Sequence, residues 1–113
     1  MSSQGIAQAK AWYWQRISAM VLALFVIVHL VIMIIAIRDG LTAAEIFSRT
    51  KGNLAFGIFY ALFVLACAVH VPIGIAKISE EWLGLSAAAS SLLAKALALI
   101  IVVLGLTAVW GVI

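Results

Sequence analysis

Three apolar runs, roughly Trp14 to Ile37, Leu54 to Lys77 and Ser91 to Ile113, constrain this chain more than any other feature. An α-helix of about 20 mainly apolar residues crosses a hydrocarbon layer about 30 Å thick, and each run is long enough to do so. In lipid every backbone N–H and C=O must be paired within the protein, so a run of this kind crosses as a helix. Composition agrees: 67% of the 113 residues are hydrophobic, against about half in a soluble domain. The expected fold is therefore all-α, an integral membrane protein with three transmembrane helices (14–37, 54–77 and 91–113) in one domain of residues 1–113.

What lies between the runs is short. The opening MSSQGIAQAK is too brief and too weakly basic for a transit peptide, and the run after Arg16 is too long for a signal-peptide core and lacks a cleavage pattern. It is expected to stay as a helix. The segment IRDGLTAAEIFSRTKGN holds the helix-stopping Gly40 and Gly52 around a small amphipathic piece, and ISEEWLGLSAAASS carries Glu80, Glu81 and an interfacial Trp82. Trp12, Tyr13 and Trp14 form an aromatic belt. Lys10, Arg16, Lys77 and Lys95 fall on the side of the N-terminus, and Arg38, Arg49 and Lys51 on the other, a four-to-three margin that favours a cytoplasmic N-terminus. A net charge of +3 suits lipid headgroups and gives no sign of nucleic acid as a partner. The lone Cys67 excludes an internal disulfide and reads as a small apolar residue; no Cys-x-x-Cys-His exists for covalent haem attachment.

Both histidines lie deep within spans, where a polar group costs free energy unless something binds it. His29 is 15 residues into the first run and His70 is 16 into the second. At 1.5 Å per residue each is about 23 Å from the start of its helix. Successive spans run in opposite directions, so the two sit at opposite depths, about 13 Å apart along the membrane normal. In CAVHVPIGIAK, Gly74 follows His70 by four residues and Lys77 by seven, both on the histidine's side of a helical wheel. A glycine one turn away leaves room for a planar ring, and a lysine at the border can meet an anionic tail. Pro72 removes a helix hydrogen bond beside them. This layout favours a porphyrin over a bare core histidine.

Other chemistries fit less well. Zinc and copper sites want three or four ligands, but Asp39, Glu45, Glu80 and Glu81 all lie outside the apolar runs. The chain has no Walker loop, no dinucleotide fingerprint and no Ser/His/Asp arrangement. Haem iron is satisfied by two axial imidazoles, which suits isolated histidines on different helices.

With Gln15-Arg16-Ile17-Ser18-Ala19, His29 thirteen residues after the arginine, and His70-Val-Pro-Ile-Gly74 on the next span, the chain resembles the cytochrome b membrane anchors of succinate dehydrogenases and fumarate reductases. The resemblance covers approximately residues 12–84; the third helix is generic. The long five-helix anchors carry such a set in each half, and this chain is similar to one half. It differs from the small single-haem anchors, which have no histidine matching His29.

The resemblance implies a haem b-binding anchor, half of a haem-binding helical bundle, working with an iron–sulfur subunit and a flavoprotein subunit to exchange electrons between succinate or fumarate and membrane quinone. His29 and His70 match haem ligands. Arg16 and Ser18 match the motif near quinone or a haem propionate, and a guanidinium at the border suits a carboxylate or a quinone carbonyl. No catalytic residue is expected in this chain, and the expected location is a bacterial cytoplasmic membrane. Because packed helix axes stand a further 8 to 10 Å apart, the two histidines cannot share one iron. Two haems are expected, each completed by a second anchor chain. Two other readings use the same histidines: a haem-free structural anchor or small transporter subunit, and a transmembrane electron carrier for another dehydrogenase.

Overall fold

The computed structural model describes residues 2–113 and contains four helices: α1 (Ser3–Asp39), α2 (Ala43–Thr50), α3 (Leu54–Leu83) and α4 (Ala87–Val112). Each begins at a residue whose side chain can accept from the exposed N–H groups of the first turn. Ser2 accepts from Gly5 N at 3.0 Å, Thr42 from Glu45 N at 3.2 Å, Asn53 from Phe56 N at 3.0 Å and Ser86 from Ala89 N at 3.1 Å. Glycines end two of them. Gly40 (φ 116°) returns its N–H to Ala36 O after α1, and Gly84 (φ 68°) returns its own to Ser79 O after α3.

α1, α3 and α4 are long and apolar enough to cross a membrane, and the three apolar runs lie inside them, except that Ile113 is the cap of α4. The helices outrun the runs at the N-terminal side. α1 starts at Ser3, because the Ala- and Gln-rich opening has good helix formers and a serine cap. α3 carries on through Ile78–Leu83 until Gly84, so Glu80, Glu81 and Trp82 belong to a helix. α2 is the amphipathic piece, set between Gly40 and Gly52.

α3 is the central element, packed antiparallel against α4 on one side and α1 on the other. Close approach comes from small residues, as expected where lipid supplies no hydrophobic drive between helices. A Cβ at Gly105 would lie 2.5 Å from Val64 Cγ1, and one at Gly57 would lie 3.0 Å from Ile113 Cδ1. Among the described residues no hydrophobic side chain is buried; Ser18, Thr50, Ser79, Ser90, Gly57 and Pro72 are. The apolar surface faces outward, to lipid or to other chains. The end of α4 is tied to the α2–α3 connection: Thr50 Oγ1 donates to Val112 O at 2.7 Å and Gly52 N to Ile113 O at 3.2 Å. Those bonds satisfy carbonyls that a helix end leaves free.

Candidate functional site: two histidines at opposite depths

The α1–α3 seam has two polar rungs. In the first, Ser18 is one of the few buried residues, and its hydroxyl donates to Gln15 O at 3.1 Å, one turn back. The same oxygen lies 3.4 Å from His70 Nδ1, a long contact whose direction depends on the ring's tautomer. Beside it α1 and α3 come close: a Cβ at Gly74 would lie 3.1 Å from Gln15 Nε2. The space at Gly74, expected to receive a planar ring, is thus met by the Gln15 amide. Gln15 Oε1 is buried and accepts no hydrogen bond.

The second rung reverses the roles. His29 of α1 meets a hydroxyl of α3, with Nδ1 2.9 Å from Tyr60 Oη. Phe56, Phe59, Tyr60 and Phe63 recur at three- and four-residue steps, so one face of α3 presents four aromatic rings towards α1. His29 stands edge-on to Tyr60 (5.7 Å, 85°) and Phe63 (5.6 Å, 84°), and Phe25 packs on Phe59 at 4.9 Å. Among the described residues neither histidine has a partner for Nε2, and neither Nε2 is sealed away from the surface.

Ser18 and His29 are eleven residues apart on α1, and Tyr60 and His70 are ten apart on α3. Both intervals correspond to about 15 Å of helix. The histidines lie at opposite depths, His70 towards the N-terminal side. Imidazole nitrogens bind a metal at about 2 Å. The pair cannot meet across one ion, and no group of three or more His, Cys, Asp or Glu gathers among the described residues.

Arg16 and Lys77 are exposed, and neither takes part in a rung. Two positions from Ser18, Arg16 leaves α1 on another side, with its guanidinium over the Trp12 ring at 5.4 Å. Trp12, first assigned only to the aromatic belt, thus also orients Arg16. Sequence reasoning missed Gln15 and Tyr60 as well. The signal for Tyr60 was the aromatic spacing at the start of α3; for Gln15 it was a place one turn before Ser18. A cavity of about 590 Å³ opens between the second half of α1, α2 and the start of α3, with Tyr60 in its wall and Arg49 at its polar edge.

The family model described as succinate dehydrogenase/fumarate reductase transmembrane subunit matches residues 3–109. The chain belongs to that family. The match begins at the first residue of α1 and ends three residues short of the end of α4, so it takes in the third span, which carries no motif of its own. No curated protein and no solved structure matches the chain. This transmembrane subunit of the succinate dehydrogenase/fumarate reductase family therefore brings to its membrane two imidazoles, each gripped at Nδ1 and open at Nε2.

Proposed function

We propose that the chain is a haem b-binding anchor of a succinate:quinone or quinol:fumarate oxidoreductase, with His29 and His70 as axial ligands of two different haems. The observation that carries this reading is the pair of Nδ1-held, Nε2-free rings about 15 Å apart along antiparallel helices. A metal-bound histidine characteristically donates its other N–H to an oxygen, which fixes the tautomer and aims the free nitrogen. Ser18 does this for His70 and Tyr60 for His29. When bound, haem b supplies one-electron transfer between the iron–sulfur subunit and quinone. The second ligand of each iron comes from a second anchor chain, whether another copy or a related one, packed on the outward apolar surface.

The remaining residues work from the border. Arg16, steadied by Trp12, offers a forked donor to a quinone carbonyl or a propionate, and Lys77 offers a point charge to an anionic tail. Gly74 keeps α1 close and brings the unpaired Gln15 Oε1 to the same rung. The molecule is 53 Å long, more than the 40–45 Å of a bilayer with its headgroups. Its excess is on the N-terminal side, where the first turns of α1 and the last turn of α3 extend past the apolar runs. A soluble iron–sulfur subunit, with its flavoprotein, docks against such a ledge, which in this reading faces the cytoplasm of a bacterial cell.

A second reading draws on the same rungs: both histidines bond across the α1–α3 seam, as they would in a haem-free anchor. The test is the pyridine haemochrome content of the intact purified complex, with mass spectrometry of its subunits. Two haems are expected, with His29→Ala and His70→Ala each removing one. A complex without haem would establish the second reading, and a single haem lost in both variants would refute the two-haem arrangement.

A further inference from the structure

We infer that Tyr60 is a positioning residue for His29, holding the ring by Nδ1 and setting how strongly its Nε2 donates to the haem iron. This rests on the haem reading above. With Nε2 on a metal, a neutral imidazole carries its proton on Nδ1, so the 2.9 Å contact is an N–H donated to the phenol oxygen. A hydrogen bond from Nδ1–H makes the ring a more basic ligand. A more basic ligand favours ferric over ferrous iron and so lowers the reduction potential, second-shell hydrogen bonding being one of the protein's means of setting it.

Three features single out this pair. The contact is short, whereas the Ser18–His70 contact is 3.4 Å, at the outer limit of a hydrogen bond. It lies among Phe25, Phe59 and Phe63, where a low local dielectric strengthens it. The cage also limits rotation: with Tyr60 and Phe63 both edge-on to His29, turning the imidazole about its bond to Cβ would drive it into one of those rings. The hydroxyl and the cage therefore fix one orientation of the ligand plane.

The experiment is a redox titration of the intact complex, followed optically, with electron paramagnetic resonance of the ferric haems. Tyr60→Phe keeps the ring and removes the oxygen. Both haems should remain, and one should become easier to reduce by up to tenfold in its equilibrium, about 59 mV for one electron. The same haem should show a shifted largest g-value as its imidazole plane is released. His29→Ala, which should delete the responding haem, identifies it; Phe63→Leu disturbs the cage without touching the hydroxyl and should shift the potential less than Tyr60→Phe does. Two haems with unaltered potential and spectrum in Tyr60→Phe would overturn the role of Tyr60 while leaving the haem reading intact. An equal shift in Phe63→Leu would also overturn it. Loss of the His29 haem in Tyr60→Phe alone would support it, and loss in both variants would overturn it. Unchanged haem content in His29→Ala would sink the haem reading itself.

Discussion

Gly105→Ala should loosen the α3–α4 pair, and the geometry sets the scale. The added methyl would stand 2.5 Å from Val64 Cγ1, 2.8 Å from Cγ2 and 3.2 Å from Cβ. Non-bonded carbons rest about 3.5–4.0 Å apart, so α4 must retreat by about 1 Å at this crossing. Val64 cannot swing clear, because a β-branched side chain in a helix has essentially one rotamer. Among the described residues no buried apolar side chain compensates for the loss. Overpacking of this kind costs about 1–3 kcal/mol, roughly 5- to 150-fold in the equilibrium between paired and parted helices. A denaturing-detergent titration with fluorophores on α3 and α4 would measure it. Val64→Ala empties the same space, so the double variant should recover about 1 kcal/mol or more relative to the sum of the single changes. Strictly additive effects would show that the methyl and Val64 do not collide, and would refute the reasoning.

Two further outcomes follow from topology and from the border. With the N-terminus on the cytoplasmic side, as the proposed function has it, three spans put a reporter fused after Ile113 outside the cytoplasm; cytoplasmic activity from that fusion would overturn the proposed orientation. Arg16→Lys keeps the charge but loses the planar fork and its stacking on Trp12, so quinone reduction or haem retention should fall where an interfacial anchor would tolerate the change. Unchanged activity and haem content in that variant would reduce Arg16 to an anchor.

Much of the architecture was legible because lipid leaves few options. The apolar runs gave three helices, and Gly40 and Gly52 bracketed the short amphipathic piece; its cap Thr42 was not read. The opposite depths of the histidines followed from chain direction alone. Where α1 and α3 end was harder to read, because helix and span are different quantities: Ala7, Ala9 and Glu80 propagate a helix in water as readily as in lipid. The two histidines were legible in the sequence and their partners across the seam were not. Spacing from His70 picks out Gly74 and Lys77 because they share its helix. Tyr60 meets His29 from a different helix, and no periodicity within one span reports that register. The same limit hid Gln15, whose amide approaches Gly74 from α1.

Register is also what joins the fold to the function. Two helices with outward apolar faces and no sealed core have little to stop one sliding along the other, since lipid is as apolar as either. The two rungs supply that stop. α1 lends a hydroxyl to the histidine of α3, and α3 lends a hydroxyl to the histidine of α1. A slip of one turn, about 5.4 Å, would break both bonds together and strand two imidazoles in hydrocarbon. The bonds that aim each Nε2 are thus the bonds that fix the depth at which it is aimed. A change at Ser18 or Tyr60 therefore acts on helix registration and on imidazole orientation at once. For Tyr60 the redox titration can tell the two apart, because removing one phenol oxygen leaves the packed ring, and with it most of the registration, in place.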